Sequence, residues 1–416
     1  MTSGTPEHEY CEDDFESCPP RAGTGCYKYD AWAKDVIPLC IADMDVRCSK
    51  EILDALAARV QHGVLGYGHE TPALVQAARG WLKRRYDWDV QPEWLVWFPG
   101  IVSGMNVFIR TVGRIHAAER ELSAMVHVPA YPPFLAAPEY QRQRLVKVPL
   151  RCTPEAPSSA AADEKQQQRL HYEIDWDAFE RSVDASCKCY ILCNPHNPTG
   201  RQWTDAELRQ LAAFCERHGL YVLSDEIWAD LVLEGAHTPF AKLVAGTPLA
   251  RRVVTTMAPS KTFNIAGLGC SLGIIPDADL RAQFVAAAAG IVPHINCLGL
   301  VAAETAWGGA CDAWHARLLD HLRRNLALVE ATLARCPRVR WAHPEATFVV
   351  WIDPRAAYPD GVREDNVVEW LARVHHIGLS DGKDYGQPGW VRLNIGCPSA
   401  TLAKALAEFE NAFGSK

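Results

Sequence analysis

A chain of 416 residues, 48% hydrophobic and 22% charged, is long enough for a large core and more than one domain. Its 42 basic and 50 acidic groups give a formal charge of −8, and no basic stretch offers a surface for nucleic acid. The opening residues lack a positive segment followed by an apolar one, and stretches such as 286–292 are too short to span a bilayer, so the expected setting is the cytosol, without signal or membrane.

In chain order, the first 35 residues are polar and irregular, which predicts an arm lying on another surface. Residues 51–60 carry Ile52, Leu53, Leu56 and Val60 at helical spacing, and 72–86 repeat the pattern with Leu74, Ala77, Ala78, Trp81 and Leu82. Residues 94–98 predict a short strand stopped by Pro99-Gly100, and 104–112 a helix. Between them, Gly100-Ile101-Val102-Ser103 opens a helix whose first N–H groups, those of Ile101 and Val102, can meet an anion. A strand over 122–128 runs into Pro129-Ala130-Tyr131-Pro132-Pro133-Phe134. The tract 153–168, rich in Ser, Ala and Gln, predicts a surface insertion without catalytic content.

A strand over 189–193 leads into Asn194-Pro195-His196-Asn197-Pro198-Thr199-Gly200. Fifteen cysteines, odd in number and scattered, predict small buried hydrophobes in a reducing compartment, with Cys187, Cys189 and Cys193 on one strand face. No CxxC pair supports a metal site. A helix over 204–218 starts at Thr204 with Glu207 in the capping-box position, and a strand over 221–224 closes on Asp225. Another strand, 252–256, precedes Lys261. Beyond Pro293 come long helices, including 314–333, and strands over 348–352 and 390–395. This alternation indicates an α/β chain with a mostly parallel sheet. The expected division is 1–50 as arm and part of a small domain, 51–293 as the large domain, and 294–416 as the small α+β domain.

In such sheets, ligands gather beyond the carboxyl ends of the strands, where Asn197, Asp225 and Lys261 all fall. Each has an ordinary explanation alone: a turn, a helix cap, a solvated amine. Together they match pyridoxal phosphate, with Lys261 for the aldehyde, Asp225 for the ring nitrogen and Asn197 for the ring oxygen. Tyr131 can stack on the ring or be a core aromatic, and Ser260 can add a hydroxyl to the phosphate site. Neither GxxxxGK[ST] nor a complete dinucleotide fingerprint is present. Arg392, on an inward-facing strand, can grip a carboxylate or sit in a structural ion pair.

Arg21-Ala22-Gly23-Thr24, Ile41-Ala42-Asp43-Met44-Asp45, Gly66-Tyr67-Gly68, Asn194 to Gly200, Ser224-Asp225-Glu226-Ile227 and Ser260 to Leu268 together carry a resemblance. The chain resembles the aspartate aminotransferase superfamily, and within it the cystathionine β-lyase branch of MalY/PatB-like carbon–sulfur lyases. The resemblance implies the PLP-dependent transferase fold type I, with a mostly parallel seven-stranded sheet in the large domain. It implies a β-lyase cleaving L-cystathionine or a related S-substituted cysteine to thiol, pyruvate and ammonia. Aminotransfer, another elimination or cyclisation, and a regulatory binding role stay open. The resemblance also implies substrate contacts from Arg392 and Asp43, and a homodimer in which Tyr67 reaches the neighbouring phosphate. Trp228 stands at the ring where relatives carry His or Tyr, while Cys26 and Cys40 replace Ser and Trp.

Overall fold

A computed structural model describes residues 15–155 and 168–414. Residues 1–14 of the predicted arm and 156–167 of the predicted insertion lie outside the described residues. The strands are β1 Ile37–Pro38, β2 Leu95–Phe98, β3 Ser123–Val128, β4 Arg144–Pro154, β5 Arg169–Ile174, β6 Cys187–Cys193 and β7 Tyr221–Asp225. They continue as β8 Val253–Met257, β9 Ser271–Ile274, β10 Arg340–Ala342, β11 Val349–Asp353, β12 Ile377–Gly378, β13 Ser380–Asp381 and β14 Val391–Asn394.

One half of the main sheet has the order β4-β3-β6-β7-β8-β9-β2, in which β9 alone runs against its neighbours. This is the mostly parallel seven-stranded sheet expected. The long β4 carries hydrogen bonding onward to β5, and β10, β11, β14 and β13 complete the smaller half. Because β2, β3, β6, β7 and β8 point the same way, the segments starting at Gly100, Tyr131, Asn194, Glu226 and Ala258 emerge at one edge. That shared edge builds the site.

Both faces of this sheet are buried, as parallel strands require. Ala124, Val126, Ile191, Leu223 and Val254 pack with Phe98, Met105, Phe108 and Phe284 on one face. Met125, Tyr190, Leu192, Val222 and Val253 belong to the larger core on the other. The helix Ile101–Ile115 buries Ile101, Met105, Phe108, Ile109 and Val112, each contributing roughly 1.5–3 kcal/mol of transfer free energy.

The predicted helix 72–86 is Pro72–Tyr86, with Thr71 accepting from the Leu74 N–H at its start. The capping box at Thr204 and Glu207 forms as read. Cys187 departs from expectation. A register irregularity where Ser123 pairs with Cys187 and Ala124 with Cys189 inserts Lys188 as an extra residue. Strict alternation therefore fails there: Cys189 and Cys193 pack on one face and Cys187 on the other. The insertion also has ordered ends. Thr153 and Pro154 finish β4, and buried Gln168 donates to the carbonyls of Leu333, Cys336 and Val339 at 3.3, 2.8 and 3.2 Å.

Candidate active site

Lys261 follows β8 in a turn beside Ser260, and its Nζ donates to the Ala42 carbonyl at 2.6 Å. The same Nζ lies 5.7 Å from the centre of the buried Trp228 indole, whose edge-to-face partner is Phe348 at 4.8 Å. Burial, then the nearby Arg392 charge, lower the Lys261 amine to about 8, against the pull of Asp43 and Asp225. An amine so tuned is still mostly protonated near pH 7, but its neutral fraction is far larger than that of an ordinary lysine.

Asp225 ends β7 and is buried. Its carboxylate accepts from the Ile227 N–H at 3.1 Å and makes no ion pair among the described residues. Burial raises it to about 7. The next residue, Glu226, is equally buried but satisfied by Ser224 Oγ at 2.8 Å, His237 Nε2 at 2.8 Å and the Phe240 N–H at 2.9 Å. Of these two adjacent acids, Asp225 has a single N–H to support its charge and Glu226 has three donors.

Arg392 on β14 is its mirror image, a buried guanidinium with no carboxylate partner among the described residues. Its Nη1 donates to Asn197 Oδ1 at 2.9 Å, and Nη2 to the Cys40 carbonyl at 2.8 Å and Ser380 Oγ at 3.3 Å. The Tyr385 ring lies 4.9 Å away and Nε is buried without a partner. The structural ion pair left open by the sequence is not what holds it. Since Arg392 only donates, Asn197 turns its oxygen toward it. The Asn197 amide N–H groups are thereby left to face other ligands.

Tyr131 lies edge-on to Phe134 at 5.5 Å, and its hydroxyl is raised by burial and by the Asp225 charge. Ile101 and Val102 begin their helix behind Gly100, which offers no side-chain cap, so their N–H groups are open to a ligand. Asp43 is not free: its carboxylate meets Arg21 at 2.9 Å and Lys28 at 3.5 Å. Tyr67 is 99% exposed, with its ring centre 6.5 Å from that of His294, and lines a cleft with residues 293–298 that contains none of Lys261, Asp225 and Asn197. His196 is a structural group, bonded to Thr199 Oγ1 at 2.8 Å.

Sequence reading passed over Ser380, Tyr385, Asn264 and Asn394. Asn394 was accessible to it, since strand alternation puts it on the same face as Arg392. Asn264, at φ 56°, donates to the Met44 and Val46 carbonyls at 2.9 and 2.8 Å. Nothing in its local sequence signals a partner so far along the chain.

A buried carboxylate lacking a cation and a buried guanidinium lacking an anion therefore both lie within electrostatic reach of an amine of lowered basicity. A ligand with a protonated ring nitrogen fits Asp225, an aldehyde fits Lys261, and a second molecule's carboxylate fits Arg392.

The family described as Aminotransferase class I and II matches residues 34–409. Cystathionine β-lyase PatB of Bacillus subtilis (strain 168) is 34% identical over 410 residues, covering 96% of this chain and 99% of that protein. Among solved structures, OvoB matches with a TM-score of 0.85 at 37% identity, covering 97% of this chain and 100% of that one. Cystalysin from Treponema denticola, whose crystal structure contains pyridoxal 5′-phosphate, matches with a TM-score of 0.84 at 28% identity, covering 96% and 98%. No helix among the described residues is long and apolar enough to cross a membrane.

Proposed function

We propose a reaction for a chain that belongs to the aminotransferase class I and II family and has its α/β fold type I: pyridoxal phosphate-dependent β-elimination from L-cystathionine or a related S-substituted L-cysteine. The observation that carries it is the grouping of Asp225 without a cation and Arg392 without an anion, both within electrostatic reach of the Lys261 amine of lowered basicity. The named activities of PatB and other relatives support elimination over transfer.

When bound, pyridoxal phosphate supplies an aldehyde that links to an amine and a ring that holds the electron pair left at Cα. Lys261 is placed to carry the aldehyde at rest. Asp225 keeps the ring nitrogen protonated, and that proton in turn relieves its own burial. Asn197 would donate its amide to the ring oxygen, and Tyr131 and Trp228 would line the ring's site. The Ile101 and Val102 N–H groups, with Ser260, would receive the phosphate. Arg392 receives the substrate carboxylate through its planar fork. Once released by substrate, Lys261 takes the Cα proton, and its lowered basicity makes the neutral amine available for this. The Cβ–S bond then breaks, a thiol leaves, and hydrolysis of the three-carbon remainder yields pyruvate and ammonia. We assign the assembly as a homodimer, in which the exposed Tyr67 completes the phosphate site of the neighbouring protomer.

Incubating the cofactor-loaded protein with L-cystathionine and S-alkyl-L-cysteines should release pyruvate, ammonia and thiol in equal amounts. Borohydride should trap the cofactor on Lys261. An oxo acid with the aminated cofactor would establish transfer instead. Neither product, at full cofactor loading, would reject the reading.

A further inference from the structure

Residues 40–46 cross the site without forming helix or strand. Irregular backbone that is buried at its ends and half-buried at 41–43 needs partners for its carbonyls, and here side chains converge on it from several elements. The Cys40 carbonyl accepts from Arg392 at 2.8 Å and Ser380 at 2.7 Å. The Ile41 carbonyl accepts from Asn394 at 2.6 Å and that of Ala42 from Lys261 at 2.6 Å. The Asp43 carbonyl accepts from Asn394 at 2.7 Å and Lys28 at 3.2 Å, and that of Met44 from Asn264 at 2.9 Å and Arg21 at 3.3 Å. Every carbonyl from Cys40 to Met44 thus ends on a side chain, and the middle one receives the amine.

One amide brackets that middle carbonyl. Asn394 Nδ2 holds the peptide on either side of Ala42, while Oδ1 accepts from the Gly396 N–H at 2.7 Å. Asn394 is completely buried, and lies two residues beyond Arg392 on β14, facing the same way. The far end of the segment is pinned by Asn264, three residues after Lys261. An amine that donates one N–H to a fixed carbonyl can turn only about that bond, so its lone pair sweeps a cone instead of a hemisphere.

We propose that residues 40–46 are a strap that aims the released Lys261 amine at the substrate's Cα proton, and that Asn394 is the positioning residue that fixes the strap. In the step it serves, the Cα–H bond breaks, the proton passes to Lys261 Nζ, and the electron pair stays with the substrate carbon and the ring attached to it. The inference rests on reading Lys261 as the group that takes this proton. It assigns a role to a residue whose side-chain hydrogen bonds all go to backbone groups.

Asn394→Asp keeps the shape and the acceptor for Gly396 but removes both donors. Asn394→Ala removes all three bonds without adding charge. In cofactor-free protein, pH-dependent acylation of Lys261, followed by peptide mass spectrometry, reads the amine directly. Asp225, Asp43 and Arg392 are the charges facing it, and the variants leave them in place. Loosening the strap admits water, so the Lys261 midpoint should rise from about 8 toward the ordinary lysine value. In loaded enzyme, kcat should fall about 10- to 100-fold with KM within about twofold, as expected for a misplaced reacting group. The isotope effect on an α-deuterated substrate should increase. If the position 394 variants fail to fold, Asn264→Gly, which tolerates the positive φ, loosens the other end and carries the same expectations. Unchanged Lys261 titration with unchanged kcat would overturn the proposal. So would a loss confined to melting temperature or KM. Because the acylation measurement needs no turnover, it stands even if the chain proves not to be a lyase.

Discussion

Asp225 and Glu226 sit side by side, equally buried, yet one has three partners for its charge and the other a single N–H. Their environments could not be separated in the sequence, because the donors to the Glu226 carboxylate, Ser224 aside, come from residues 237–240. The difference has a thermodynamic consequence. Asp225 is raised from its ordinary 3.8 to about 7, so the folded chain holds this proton more tightly than the unfolded one. The cost of ionising it is absent below the unfolded value, grows as pH rises, and is complete above about 7. A displacement of that size corresponds to roughly 4 kcal/mol at most. Cofactor-free Asp225→Asn should therefore melt several degrees above wild type at pH 8 and coincide with it near pH 4. Cofactor should reverse the order at pH 8, since only the carboxylate gains a cation. An Asn variant no more stable than wild type at pH 8 would contradict the unpaired-carboxylate account.

At the scale of elements, the legible parts were those with strong periodicity or explicit stop signals. The helix Pro72–Tyr86 begins on a cap and a proline, and Asp205–Arg217 on a capping box. Less legible were features set by partners distant in the chain: the irregularity at Cys187, the extension of β4 into the smaller half, and the strap 40–46. The loop after β6 combines both kinds. Its composition announces a turn, but only the fold shows why Gly200 is needed. Gly200 has φ +73°, and an added Cβ would lie 2.4 Å from that of Pro344. Gly235 has a similar φ of +81° with nothing within 4 Å. Gly235→Ala should therefore cost only the backbone term, about 1–2 kcal/mol, and leave cofactor affinity intact. Gly200→Ala should lower the melting temperature further and weaken cofactor binding about tenfold, because Asn197 shares the displaced loop. Thermal melts and cofactor titration of both variants separate the two terms, and equal losses would show that contact with Pro344 is unimportant.

Across the whole molecule, the sheet edge that gathers Asn197, Asp225 and Lys261 follows from strand direction alone, which is why three residues far apart in sequence could be read together. The proposed part of Tyr67 in the phosphate site is different, because the single chain leaves its side chain in solvent. Around it, Val64, Leu65 and Ile291 are 62, 57 and 56% exposed, and residues 65–68 line a cleft with 293–298. Apolar side chains concentrated beside a cleft mark an association surface more than isolated exposed ones do. In the proposed homodimer this surface closes and brings Tyr67 to the neighbouring phosphate. Wild type should sediment as a dimer, and Leu65→Glu with Ile291→Glu as a monomer with weakened cofactor binding. Tyr67→Phe keeps the ring that packs in the interface and removes one hydroxyl. A hydrogen bond to a charged group is worth about 1.5–3 kcal/mol, so this variant should stay dimeric while its cofactor affinity falls about 10- to 100-fold. If Tyr67→Phe binds cofactor as wild type does, the hydroxyl does not reach the phosphate. If wild type itself sediments as a monomer, the shared site is wrong altogether.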